Sequence, residues 1–288
     1  MAWDLDQYDQ NGIAMPIRVL PETEAEAIGE RVLAVRKSGD DKTAQVLNTS
    51  PHYLFPWLYD LATHAKVLDA VEKVLGPDLL IWSSQFFTKD PGDGGYVSWH
   101  QDSTYWGLEP NTITTAWIAL TPSTPTSGCM QVAPGSHNLD QLPHKDTFNE
   151  GNLLSRGQEI QVDVERMETI DVVLSPGEMS LHHVQLVHGS EPNVSSRPRM
   201  GFVVRYIPTS VRQLGGRTRA MLVRGEDAFN HFELTSPPTG ERTEEGWYAV
   251  RDSTARLSAI VMASADQESR HESHKVSSVF TDKKHGQR

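Results

Sequence analysis

The chain has 288 residues, 38% hydrophobic and 22% charged, a composition that folds around a sizeable core and excludes a disordered polypeptide. Its 26 basic and 38 acidic residues leave a formal net charge of −12, so its average field repels nucleic acid and anionic membranes alike. A lone cysteine, Cys129, excludes an intrachain disulfide and a thiolate zinc site, and favours a reducing compartment.

Residues 5–37 read as helix, strand, helix. The strand, Ile13 to Leu20, is largely apolar and stops at Pro21. Pro21 opens the next helix, whose first turn holds Glu22 and Glu24, where carboxylates are favourable. A further helix is predicted from Ala65 to Leu75. Val67, Leu68, Val71, Val74 and Leu75 fall on one face, and Gly76-Pro77 ends it.

From Leu79 the texture changes to short runs rich in aromatic and β-branched residues. They cover 79–87, 96–100, 112–120, 129–133, 169–174, 178–182 and 199–207, with turn clusters between several of them. Residues 138–168 are polar and lack a strand pattern. Such an excursion from a compact domain suits a lid. Residues 208–250 carry no clear pattern. Helices first and many short strands after predict a mainly β fold, a double-sheet jelly roll with N-terminal helices packed outside. One domain is expected over 1–268, with a loose tail at 269–288. No run reaches the roughly 18–20 apolar residues of a membrane span. The acidic N-terminus lacks a secretory pattern, so a cytoplasmic protein is expected.

The 12 histidines raise the question of a metal. A His-X-Asp pair on a strand places both side chains on one face. A distant histidine then completes two imidazoles and a carboxylate, a set that suits non-haem Fe(II) and leaves coordination positions open. Three His-X-Asp/Glu pairs occur: His100/Asp102, His144/Asp146 and His231/Glu233. The first closes a predicted strand and has strand histidines downstream, so it is preferred. His137 sits in a Pro-Gly-Ser-His turn, His182 and His183 face opposite ways, and His188 precedes Gly189-Ser190. Spacing alone leaves His183 and His188 both open as the third ligand. Arg197, Arg199 and Arg205 follow, and a dicarboxylate would need one such guanidinium to grip its far end.

Ser98-Trp99-His100-Gln101-Asp102, Thr115-Ala116-Trp117, Ser127-Gly128-Cys129-Met130, Pro134-Gly135-Ser136-His137, His188-Gly189-Ser190 and Arg197-Pro198-Arg199 stand in register. From about residue 79 to 208 this order and spacing resemble the phytanoyl-CoA dioxygenase family of Fe(II)/2-oxoglutarate oxygenases. The resemblance implies a double-stranded β-helix that uses Fe(II), 2-oxoglutarate and O2. It implies His100, Asp102 and His188 as iron ligands and Arg199 as partner of the 2-oxoglutarate C5 carboxylate. Ser190 and Trp117 would line that pocket, with Gln85 as a further polar contact, while His137 reads as structural. A carboxylate at Asp102 favours hydroxylation, because related halogenases carry a small residue there.

On the substrate side, Tyr105, Trp106 and Arg205 are candidates, with Lys89 as another cation. The resemblance is to bacterial hydroxylases of small polar metabolites, the 2-aminoethylphosphonate hydroxylase type among them. Alternatives are a tailoring oxygenase on a larger scaffold and a metal-binding module without turnover. The expected partner is a small molecule, not nucleic acid or membrane; nothing in the sequence indicates the oligomeric state.

Overall fold

The structure is a computed structural model that describes residues 3–139 and 141–263. The expected tail at 269–288 lies outside the described residues, as does the end of the 1–268 domain. In chain order come α1 (Leu5–Asn11), β1 (Ile13–Arg18), α2 (Glu22–Arg36), α3 (Asp41–Val46), α4 (Pro56–Ala62) and α5 (Ala65–Leu75). Then follow β2 (Leu79–Lys89), β3 (Val97–His100), α6 (Ser103–Trp106), β4 (Leu108–Glu109), β5 (Thr114–Ala119) and β6 (Gln131–Val132). The next strands are β7 (His144–Asp146), β8 (Gln158–Ile160), β9 (Ile170–Asp171), β10 (Glu178–His183) and β11 (His188–Ser190). The chain continues through β12 (Arg199–Pro208), β13 (Arg212–Gln213), β14 (Arg219–Arg224), β15 (Glu233–Leu234) and α7 (Glu244–Ala263).

Two sheets form the body, with strand orders β1-β10-β5-β12-β2-β14-β15 and β3-β11-β6-β9. Alternation along the strands divides the large sheet into two faces. Ala116, Ile118, Leu181, Phe202, Val204 and Tyr206 pack with Leu58, Val67, Leu68 and Val71 of α4 and α5. The predicted one-sided face of α5 therefore covers the outside of this sheet. On the opposite face, Ile13, Trp117, Ala119 and Val203 meet Val132, Val172 and Leu186 from the small-sheet side. The architecture is the expected double-stranded β-helix with helices outside, and its interior lies between the sheets.

Several parts differ from the sequence reading; the run 169–174, for one, supplies only Ile170–Asp171 as strand. The excursion 138–168 contains an antiparallel ribbon, β7 with β8, in which His144 faces Ile160 and Asp146 faces Gln158. Its three-residue strands mix charged and apolar residues too briefly for alternation to show. The run 129–133 supplies only two strand residues, because the preceding turn reaches Gly128 with φ 68°. There Gly128 passes so close to Glu191 that a Cβ would lie 2.3 Å from the Glu191 carbonyl oxygen, so only glycine fits.

Candidate metal centre

β3 and β11 pair antiparallel with His188 directly opposite His100. Their ring centroids stand 4.1 Å apart. Each Nδ1 lies 2.8 Å from a backbone carbonyl, Ser98 for His100 and Leu186 for His188. A carbonyl oxygen only accepts, so each Nδ1 carries the proton and each Nε2 lone pair is left for a metal. Asp102 Oδ1 is 3.3 Å from His100 Nε2. The ligand atoms of His100, Asp102 and His188 all lie within 4.8 Å of one another, and all three residues are buried. Burial pushes the His188 imidazole down to about 3, aided by His100. Burial alone would raise the Asp102 carboxyl, but the adjoining imidazoles and the Arg205 guanidinium outweigh it and hold it below the usual carboxylate range. Neutral imidazoles with an ionised carboxylate are the protonation states that ligation requires.

The strand argument for the His-X-Asp pair is corrected in one respect. β3 stops at His100, and Asp102 has helical φ −64° and ψ −34° at the start of α6. A turn of backbone, rather than strand parity, brings the carboxylate to the imidazoles.

Between them, buried Gln101 points away and holds the excursion. Its Oε1 accepts from Leu142 N and Gln141 Nε2, each at 2.8 Å, and its Nε2 donates to the Gln185 carbonyl at 2.9 Å. The Gln101 N–H donates to His144 Nε2 at 2.9 Å. His144 is thus a support for the backbone of the metal motif. Asp146 of the same pair binds Arg156, and Glu233 of the third pair binds Arg219 and Arg256. His183 accepts from Gln185 N, near His137. His182 faces inward, its ring 5.1 Å from that of His188, and burial lowers it to about 4.

The inner face of the large sheet carries the other candidates. Arg199 is buried, donates from Nη2 to the Gly128 carbonyl at 2.7 Å, and stands 5.3 Å over the Trp117 ring. Its Nε has no partner. Lys89 is directly opposite Arg199 in the β2–β12 register. The Lys89 Nζ donates to Ser190 Oγ at 2.6 Å and to the carbonyls of Ser190 and Glu191. Burial, with Arg199 nearby, lowers Lys89 to about 7. Arg199, Trp117 and Ser190 are therefore brought together, and Lys89 joins them there rather than at a substrate site. Its position four residues past Gln85 on the same strand face gave no such signal, since strand parity names a face and not a depth. Gln85 lies on the same face, half-buried, opposite Val203. Arg197 is exposed in a loop. Trp106 is buried beneath Arg205, whose guanidinium stands 4.7 Å over its ring. The Tyr105 side chain lies outside the description.

A buried two-imidazole, one-carboxylate cluster between jelly-roll sheets defines a mononuclear non-haem metal protein. The family model described as Phytanoyl-CoA dioxygenase (PhyH) matches residues 8–201, and the chain belongs to that family. A Caenorhabditis elegans phytanoyl-CoA dioxygenase domain-containing protein 1 homolog is 26% identical over 183 residues, 59% of this chain and 63% of that protein. A methylphosphonate hydroxylase of Gimesia maris is 27% identical over 218 residues, 70% of this chain and 78% of that protein. The chain spans between 46% and 63% of the length of several other curated relatives that it matches. Among solved structures, a non-heme monooxygenase, ThoJ in its apo form, superposes with a TM-score of 0.81 at 30% identity, over 90% of this chain and all of that one.

Proposed function

We propose that the protein is an Fe(II)/2-oxoglutarate-dependent oxygenase that hydroxylates a C–H bond of a small polar metabolite. The observation that carries this reading is the adjacency of two unlike features. Three buried ligand atoms converge within 4.8 Å, and on the facing sheet a buried arginine has an unpartnered Nε. The donor set of His100, Asp102 and His188 suits Fe(II) and leaves positions for the keto-acid and O2. Arg199 would take the far carboxylate of 2-oxoglutarate, beside Ser190, Trp117 and Gln85, with Lys89 as a second positive group. Bound there, ferrous iron and 2-oxoglutarate would supply the means to reduce O2, one oxygen atom going to the succinate formed as the keto-acid loses CO2 and the other converting the substrate C–H to C–OH.

The chain's own residues prepare that chemistry. The Ser98 and Leu186 carbonyls fix the tautomers and aim of both imidazoles. The ribbon β7–β8, anchored on Gln101, covers the metal motif and excludes water. Tyr105, Trp106 and Arg205 are assigned to the substrate side. The likeness to a methylphosphonate hydroxylase supports a phosphonate such as 2-aminoethylphosphonate as substrate. A cytoplasmic location is part of this reading. Among the described residues no helix is long and apolar enough to cross a membrane.

The test is anaerobic addition of Fe(II) and 2-oxoglutarate. The expected result is a weak visible charge-transfer band, followed in air by succinate release in a screen of small phosphonates, betaines and amino acids. Absence of the band in wild-type protein refutes the reading.

A further inference from the structure

Four arginines are buried among the described residues: Arg156, Arg199, Arg205 and Arg219. Arg156 pairs with Asp146, and Arg219 pairs with Glu233 and Asp252. Arg199 and Arg205 have no such carboxylate within ion-pair distance among the described residues, and both open onto the inner face of the large sheet. A buried guanidinium with no carboxylate in ion-pair contact is costly, so this pattern marks two places that receive anions. Arg199 accounts for one, the keto-acid. The six residues from Arg199 to Arg205 separate their Cα atoms by about 20 Å of strand, well beyond the length of a five-carbon dicarboxylate. Arg205 therefore serves something else.

Its surroundings show what. Across the sheet, His182 faces Thr115, Thr115 faces Arg205, and Arg205 faces Ser83. Ser180 stands on the same face of β10, two residues from His182. Same-face cross-strand neighbours lie about 5 Å apart at Cβ, so His182, Thr115, Arg205 and Ser83 make one contiguous row, and Ser180, opposite Trp117, stands in the next row of the same patch. Four of its buried atoms have no partner: Thr115 Oγ1, Ser180 Oγ, His182 Nδ1 and Arg205 Nε. Among the described residues the Arg205 guanidinium makes one hydrogen bond, donated from Nη1 to Ser83 Oγ at a long 3.4 Å. Most buried polar atoms in folded proteins are paired, and four orphans on one patch are unusual. The patch adjoins the metal centre, because His182 stacks near His188 and Arg205 acts on the Asp102 charge.

We propose that Arg205, Thr115, Ser180 and His182 form the binding subsite for an oxyanion carried by the primary substrate, a carboxylate or a phosphonate, with Trp106 backing the guanidinium. The proposal rests on the oxygenase reading and adds to it the group by which substrate is held. One end of the substrate sits on this row, which leaves a C–H bond a short distance along the molecule to face the metal. Arginine and two hydroxyls supply donors to several oxygens at once, whereas a neutral amide or alcohol uses few of them.

The experiment uses the full chain loaded anaerobically with Fe(II) and 2-oxoglutarate. Matched probes are added: 2-aminoethylphosphonate, methylphosphonate and β-alanine, against ethanolamine and β-alaninamide. The expected result is that at least one oxyanion perturbs the charge-transfer band and triggers succinate release in air, and that its counterpart lacking the oxyanion does neither. Arg205→Gln should raise the half-saturating concentration of that probe by about 30-fold, as loss of a charge-assisted contact implies. Thr115→Val should raise it by about 5-fold, and both variants should keep the band formed with 2-oxoglutarate alone. The phosphonate and carboxylate arms tell which oxyanion is taken. Equal responses to probes with and without the oxyanion overturn the proposal, as does no response to any oxyanion in a protein that forms the band. Loss of the band in Arg205→Gln with unchanged probe affinity in Thr115→Val also overturns it, since Arg205 then serves Asp102. Absence of the band in wild type instead refutes the oxygenase reading itself.

Discussion

The two histidines proposed as ligands differ from inward-facing His182 by one hydrogen bond each. Nδ1 of His100 and of His188 is held by a carbonyl two residues back, whereas His182 Nδ1 has no partner. A fixed proton on Nδ1 makes Nε2 a ready donor before metal arrives. His188→Ala should therefore abolish iron retention after anaerobic gel filtration, while His183→Ala should retain about one iron per chain. Equal loss in both would remove His188 from the ligand set. Lys89 makes a second residue-scale prediction. Its folded value of about 7 means that it is charged below that pH and neutral above it in the free protein. A dianionic keto-acid favours the charged form, so above about pH 7 binding must take up a proton. The affinity for 2-oxoglutarate, read from the charge-transfer band, should be flat below pH 7 and weaken above it by up to about tenfold per unit. Lys89→Met should flatten the curve, and a slope that persists would place the titrating group elsewhere.

At the scale of elements, the large sheet positions its pocket through one missing side chain. A Cβ on Gly201 would lie 2.0 Å from Trp117 Cζ2, so the indole lies across β12 only because residue 201 is glycine. Trp117 in turn sits beneath Arg199. Gly201→Ala should displace the ring at a cost of about 1–3 kcal/mol, lowering Tm by several degrees and weakening 2-oxoglutarate binding together. A Tm loss with unchanged binding would detach Trp117 from the keto-acid pocket. These strands were legible in the sequence because β5, β10 and β12 are long enough to show alternation or continuous apolar character, and α5 because its apolar positions recur on one face. The ligand pair was legible as residue types, yet strand parity was the wrong reason for its geometry. The ribbon β7–β8 was not legible: its pairing depends on Gln101 and on Ser98, whose Oγ donates to the Gln158 carbonyl at 2.5 Å. Those partners are distant in sequence, and local pattern carries no trace of them. The orphaned row beside Arg205 was invisible for the same reason, since register sets it.

Over the described molecule, the ribbon beside the metal motif is tied to α7, the last described element. Arg156, in the loop that leads from β7 to β8, binds Asp146 on β7 and donates from Nη1 to the Val261 carbonyl in α7 at 2.9 Å. Ribbon, connecting loop and C-terminal helix thus share one buried cation, with the Asp146 and Arg156 side chains 5% and 2% exposed. The helix packs on α6, which begins just after Asp102, so α7 supports both the cover and the turn that aims the carboxylate. Removing one member of such a pair strands the other charge in the interior, at about 3–5 kcal/mol, whereas replacing both by apolar groups costs much less. Arg156→Met should accordingly lower Tm by about 5–20 °C and raise hydrogen exchange jointly in 144–160 and in the last turns of α7. The double substitution Arg156→Met with Asp146→Leu should recover most of the Tm. The exchange protection of α7 should recover less, because the bond to Val261 stays lost. Were exchange to rise in the ribbon alone, the helix would be independent of the cover, and the coupling between the chain's C-terminal helix and its metal motif would fail.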